Sequence, residues 1–270
     1  MQTVRQPAVA GAFYPGQAAA LARDVQTLLA NTPADTLAAG TVPKAIIVPH
    51  AGYIYSGATA ALAYAKLIPA RHRIRRVVLL GPAHRVALHG LALPGDDYLA
   101  TPLGEVAVDQ AAVAQLAQLP QVVVSRAVHA QEHALEVQLP FLQTVLDDFT
   151  LVPLVVGDAA PEEVAEVLEL LWGGPETLLV ISSDLSHFLP YLAAQQTDSQ
   201  TTQAILDLAG PLNHQQACGG TPINGLLLAA RRHGLQPQLL GVCNSGDTAG
   251  DKARVVGYAA LTFTEVNHAH

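Results

Sequence analysis

Three runs of apolar, mostly β-branched residues stop at turn-forming or polar residues and then deliver groups that handle protons or metals. Ile46-Ile47-Val48 leads into Pro49-His50, and Val77-Val78-Leu79-Leu80 leads into Gly81-Pro82-Ala83-His84. Leu178-Leu179-Val180-Ile181 leads into Ser182-Ser183-Asp184-Leu185-Ser186-His187. Uninterrupted apolar runs of this length are the pattern of strands buried on both faces, which is the condition of a parallel sheet covered by helices. Proline removes a backbone donor and glycine permits a sharp turn, so the first two strands end at those residues. The Ala-rich stretch 57–67 then reads as the helix after His50. In open α/β sheets ligands bind beyond the carboxyl ends of the strands. His50, His84, Asp184 and His187 are therefore expected around one shared site.

Composition bounds the alternatives. Half of the 270 residues are hydrophobic and 13% are charged, enough apolar material for a large core. The formal charge of −8 disfavours a nucleic-acid partner, because phosphate binding needs a basic surface. The basic cluster Arg71-His72-Arg73-Ile74-Arg75-Arg76 reads as a solvated loop after a helix. Two cysteines make no disulfide framework, no export signal is recognisable, and no run is long enough to span a bilayer. The expectation is a soluble cytoplasmic protein with no membrane contact.

Along the chain, helices are expected over 17–29, 109–119, 132–146, 161–171, 193–209 and from Thr221-Pro222 to about His233. Further strands are expected at 122–124, 150–156, 238–242 and 254–264, with a polar connection over 31–41. Pro94-Gly95-Asp96-Asp97 and Thr101-Pro102-Leu103-Gly104 mark short strands and turns, a hairpin excursion within 88–109. No internal repeat or low-complexity linker is present. The alternation gives one α/β domain over residues 1–270, with a central, mostly parallel mixed sheet flanked by helices.

Two histidines after successive strands favour metal ligation, with a hydrogen-bonding pair lining a pocket as the alternative. Cys218 lies in Ala217-Cys218-Gly219-Gly220-Thr221-Pro222. Thr221 reads as a helix N-cap and Pro222 as the first helical residue, so the sulfur is expected near a positive helix end that favours thiolate. Cys243 ends a strand and is the competing thiol, without that electrostatic support. Asp184 and His187 are close enough for the carboxylate to orient the imidazole, while Ser182, Ser183 and Asp184 can also cap a following helix. His129-Ala130-Gln131-Glu132-His133 matches the H-x-x-E-H pattern of inverted zinc peptidases, a third and weaker reading as a zinc hydrolase.

Several blocks together resemble the Memo family: Ala10-Gly11-Ala12-Phe13-Tyr14, Pro49-His50-Ala51-Gly52-Tyr53-Ile54-Tyr55-Ser56-Gly57, Gly81-Pro82-Ala83-His84, Glu132-His133-Ala134-Leu135-Glu136-Val137-Gln138-Leu139-Pro140-Phe141, Ser182-Ser183-Asp184-Leu185-Ser186-His187, Ala217-Cys218-Gly219 and Val256-Gly257-Tyr258-Ala259-Ala260. The resemblance runs through nearly the whole chain. It implies the fold of class III extradiol dioxygenases, LigB-like α/β enzymes that hold a non-haem Fe(II). By motif it places metal ligands at His50, His84 and Cys218, a catalytic pair at Asp184 and His187, and substrate contacts at Phe13, Tyr55 and His133. Fe(II) is the expected ion, with Cu or Zn as competitors, and an oxidoreductase acting on a small molecule is the implied activity. A cysteine in place of a carboxylate ligand departs from the usual two-His, one-carboxylate oxygenase site and weighs against ring cleavage. Prokaryotic members are associated with a radical-SAM protein in the AmmeMemoRadiSam system. A non-catalytic component that handles metal, or that binds a partner or peptide, is therefore the alternative. Phe13 stands where animal members carry tryptophan, so their phosphotyrosine-peptide binding does not transfer. Cys243 is left outside the metal set.

Overall fold

The computed structural model describes residues 2–33 and 41–265. Twelve strands are present among them. They are β1 (Val4–Arg5), β2 (Ala45–Val48), β3 (Arg76–Pro82), β4 (Leu91–Leu93), β5 (Tyr98–Thr101) and β6 (Gly104–Ala107), followed by β7 (Val122–Val124), β8 (Thr150–Val156), β9 (Thr177–Ser182), β10 (His187–Leu189), β11 (Gln236–Asn244) and β12 (Val255–Thr264). Nine of them form one mixed sheet in which the path β10-β12-β2-β9-β3-β8-β4-β7 is joined by β11 on β12. Its centre, β2-β9-β3-β8, is parallel throughout, and β12 and β4 add antiparallel neighbours on either side. β1, β5 and β6 make a separate small sheet, so the expected hairpin excursion exists and is closed by the N-terminus.

Alternation along the buried strands sorts side chains onto two faces. Ile46, Val48, Val77, Leu79, Leu178 and Val180 pack with the helices Ala18–Ala30, Tyr53–Ala65 and Leu139–Val145. Ile47, Val78, Leu80, Leu179 and Ile181 pack with the helices Pro161–Leu170 and Gly220–His233. Those two helices approach closely at Gly225, where a Cβ would lie 2.3 Å from Val164 Cγ1. With both faces covered, the carboxyl ends of β2, β9, β3 and β8 are the open edge of the sheet.

The differences from the sequence reading are local. The helix expected over 132–146 is a loop, a 3-10 turn at Glu136–Gln138 and a helix from Leu139 to Val145. Pro140 occupies its first turn, the helical position proline tolerates best. Ser182, Ser183 and Asp184 cap no helix, because β9 runs through a short loop into β10. The N-cap before Gly220–His233 is Gly219, two residues ahead of Thr221. Asp109 does cap its helix, accepting from Ala112 N at 2.9 Å. Most of the connection expected over 31–41 lies outside the described residues. No helix among the described residues is long and apolar enough to cross a membrane.

Candidate metal centre

β2 and β3 each end two residues before a histidine, and those two rings meet. The His50 and His84 ring centroids are 5.1 Å apart, and His133 lies 5.5 Å from the first and 4.8 Å from the second. Each of the three offers one ligand nitrogen, all within 4.8 Å of one another. Two metal–nitrogen bonds of about 2.1 Å span about 4.2 Å at most, so small side-chain rotations suffice to close on an ion.

Hydrogen bonds fix which nitrogens face the site. Ser182 Oγ donates to the Ala134 carbonyl at 2.7 Å and accepts from Gln138 Nε2 at 2.8 Å. Its one proton is therefore used, and its 2.9 Å contact with His50 Nδ1 requires that nitrogen to be the donor. His50 Nε2 is left with its lone pair toward the cluster. Glu132 Oε1 accepts from His84 Nδ1 at 2.9 Å, which likewise frees His84 Nε2. The same carboxylate takes the backbone N–H groups of His84, His133 and Ala134. Imidazoles oriented by a carboxylate or hydroxyl on the far nitrogen are the standard support for a metal ligand. Among the described residues His133 Nδ1 has no hydrogen-bond partner; it is buried, 3.4 Å from Glu132 Oε1. An orphaned nitrogen is costly unless something else occupies it, so the donor set fits a cation.

Electrostatics favour the neutral form of His50 and His133, the form that binds metal. Burial, then the neighbouring His84, push His50 down to about 3. Burial and His50 push His133 down to about 4. Burial would raise Glu132, but His84 and the converging N–H donors outweigh it and hold the carboxyl at about 2.

Cys218 lies beside His50 but is not one of the three residues whose ligand atoms converge. Its Sγ is 3.3 Å from His50 Nε2, within the span of one metal–sulfur and one metal–nitrogen bond, about 4.4 Å. The thiolate expectation fails for the metal-free protein: burial, reinforced by Asp184, pushes the thiol up to about 12. Hydrogen bonds from Asp184 N and Ser183 reduce that effect without reversing it. Asp184 does not orient His187. Its Oδ1 accepts from His50 N at 2.8 Å, and Oδ2 is 4.0 Å from His50 Nε2. The Leu185 carbonyl instead accepts from His187 Nδ1 at 2.9 Å, which leaves Nε2 as the other ring nitrogen of a residue that lines the cavity.

A cavity of about 770 Å³ opens over this floor, lined by His84, Arg85, Leu88, Val156, His187 and Cys218 among others. His50 is 2% exposed, while the His84 side chain is 27% exposed, so access is from the His84 side. Phe13 packs on His133 with centroids 4.8 Å apart. Tyr55 lies in the first turn of the helix after His50, with its ring against Gly52. Cys243 contacts Thr59 Oγ1 at 3.1 Å and has no place in the cluster. His129 is also outside it. It sits in the helix Arg126–Ala130, and its Nε2 donates to the Ala92 carbonyl at 2.7 Å. With Glu132 committed to His84, the H-x-x-E-H reading loses both its first ligand and its base.

Sequence reasoning placed His133 near the substrate and missed how fully it joins the two strand-end histidines. It also missed Ser182, Gln138 and Glu132 as the groups that orient them. A carboxylate beside His133 in a stretch interrupted by Pro140 was the available signal.

Comparison with known proteins follows the same lines. Residues 5–262 match the family model described as Memo-like protein. A MEMO1 family protein of Metallosphaera sedula is 33% identical over 286 residues, covering 97% of this chain and 99% of that protein. Another from Ignicoccus hospitalis is 35% identical, covering 96% and 98%. A third, from Aquifex aeolicus, is 35% identical, covering 96% and 99%. Among solved structures, an uncharacterized protein of Escherichia coli K12 shares the fold with a TM-score of 0.51 at 16% identity. That match covers 80% of this chain and 98% of the other.

Proposed function

The chain belongs to the Memo family, and from that premise we propose that it binds one redox-active metal ion beside a small-molecule cavity. Iron(II) is the first choice, with copper favoured by a soft thiolate ligand and zinc compatible with two histidines and a cysteine. The observation that carries this reading is the convergence of His50, His84 and His133 with two tautomers locked from behind. His50 and His84 hold the ion with Cys218 as third ligand, and His133 stands next to it as a fourth donor or a substrate contact. Such an ion supplies Lewis acidity and, as iron or copper, electron transfer.

The chain's own groups do the rest. His187 lines the cavity with Nδ1 tied to the Leu185 carbonyl, so Nε2 is the nitrogen we assign to take a proton from a substrate hydroxyl or from water. Asp184 fixes the backbone of His50, and burial raises its own carboxyl above the usual range. Phe13, which packs on His133, and Tyr55, whose ring lies by Gly52, lie outside the residues lining the cavity and are proposed as substrate contacts only through their place beside the histidine loop segments. The fold is read as LigB-like, and the activity as oxidoreductase chemistry on a phenol or similar small substrate. The alternative is a metal-handling component of a radical-SAM-associated system. Anaerobic Fe(II) loading followed by an oxygen-consumption screen over catechols, other phenols and cell extract tests the enzyme reading. Uptake dependent on one substrate supports it, and no uptake with any of them removes it in favour of the metal-handling role. Co-purification with a radical-SAM protein tests the partnership.

A further inference from the structure

Arg5 is 7% exposed and Glu136 is 1% exposed, and they form an ion pair remote in sequence. Two charges withdrawn from water in this way carry a desolvation penalty that hydrogen bonds must offset. The pattern of those bonds is specific. Arg5 Nε and Nη2 donate to the His129 carbonyl at 3.2 and 3.1 Å, and Nη2 also donates to the Glu132 carbonyl at 2.6 Å. Nη1 donates to Glu136 Oε2. All three guanidinium nitrogens are therefore spent on one segment, 129–136. Glu136 returns the grip by accepting from Ala8 N at 2.7 Å, Val9 N at 3.0 Å and the Tyr14 hydroxyl at 2.5 Å.

The bracketed segment is the one that carries Glu132 and His133. It is irregular between the helix ending at Ala130 and the 3-10 turn starting at Glu136, so helical hydrogen bonding does not fix it. The N-terminal segment touches the same loop a second time, through the Phe13 ring on His133. Lysine could supply the charge of Arg5 but not its planar fork, which reaches three acceptors at once.

We propose that Arg5 and Glu136 are positioning residues of the histidine centre. Their bracket sets where the Glu132 carboxylate and the His133 ring lie relative to His84, which makes residues 5–14 part of the site. The proposal rests on the metal reading for its purpose, and its geometry can be read without metal.

The experiment compares wild type with Arg5→Lys, Glu136→Gln and the milder Tyr14→Phe. Leu168→Ala, in the core on the opposite sheet face, serves as a control for general loss of stability. Long-range ¹H–¹⁵N NMR on the metal-free proteins reports histidine tautomers, and Co(II) titration with visible spectra reports affinity and coordination. Arg5→Lys and Glu136→Gln are expected to give mixed tautomers at His84 and a shifted His133 signal. They should also bind Co(II) about 10- to 100-fold more weakly, with an altered spectrum. Tyr14→Phe should move the same signals less, and keeps the test open if the charge variants do not fold. Leu168→Ala should lower Tm and leave tautomers and spectrum as in wild type. Unchanged His84 and His133 signals in Arg5→Lys, Glu136→Gln or Tyr14→Phe would overturn the proposal. Changed signals in a protein whose wild type binds no Co(II) would instead retain the positioning role and remove the metal reading.

Discussion

Glu132 accepts both the backbone N–H of His84, at 2.6 Å, and its ring Nδ1–H, at 2.9 Å. One carboxylate thus fixes the backbone and the tautomer of a single candidate ligand. It is 2% exposed, and its remaining capacity goes to His133 N and Ala134 N. The substitution Glu132→Gln keeps the shape but presents an amide that cannot accept at both atoms. Metal affinity is expected to fall about 10- to 100-fold, measured by competition with a chelator. An unchanged affinity would mean that the carboxylate is only structural.

Ser182 performs the same service for His50 within a closed network of Ala134, Gln138 and Pro49 carbonyl and amide groups. Replacing it with alanine leaves His50 Nδ1 and the Ala134 carbonyl without that partner inside the core. Ser182→Ala is expected to cost about 1–3 kcal/mol in urea unfolding. Its His50 should populate both tautomers by NMR. A stability loss with the wild-type tautomer intact would assign Ser182 to packing alone.

Proton count separates the proposed His50, His84 and Cys218 ligand set from a histidine-only site. The Cys218 thiol is held protonated in the metal-free protein, so coordination through sulfur must release a proton. At pH 8 in weak buffer, wild type is expected to release about one proton more per ion bound than Cys218→Ser. Equal release, with equal affinity, would leave the cysteine out of the coordination sphere.

Asp109 gives a pH dependence away from the site. Burial alone would raise its carboxyl, but the Ala112 N–H and the Arg76 guanidinium at 2.8 Å hold it below the usual range. A carboxyl depressed in the folded state stabilises above its unfolded pKa, about 3.9, and that contribution is lost as pH falls through the folded value. Because Arg76 is partly exposed, the expected size is at most about 1 kcal/mol. Asp109→Asn should therefore be less stable than wild type at pH 6, and the difference should shrink toward pH 3. A difference constant across that range would contradict the assignment.

The parts of the site that were legible in the sequence are those fixed by local pattern. His50 and His84 follow buried runs whose ends are marked by Pro49, Gly81 and Pro82, and the structure puts both where those breaks imply. His133 was harder, because its loop is shaped by long-range bonds: Arg5 from the N-terminus takes its carbonyls and Glu132 takes its amides. No periodicity encodes those partners, so the segment read as helix. Cys218 lies beside His50 and outside the three-histidine group. It does lie just before a helix, but burial outweighs the helix end in the metal-free protein. The Asp184–His187 pairing does not form, because the Leu185 carbonyl, between the two in sequence, takes His187 Nδ1 instead.

If a substrate is found, His187→Ala should keep its metal and lose about 10²- to 10⁴-fold in turnover, the usual cost of removing a general base. Wild-type turnover in that variant would move the base elsewhere in the cavity while leaving the metal centre intact.

The most direct measurement is elemental analysis after anaerobic loading with Fe(II), Cu or Zn, on wild type beside His50→Ala, His84→Ala and His129→Ala. Wild type and His129→Ala are predicted to hold about one ion per chain, and His50→Ala and His84→Ala to lose most of it. Full metal content in both His50→Ala and His84→Ala would contradict the histidine centre at the strand ends.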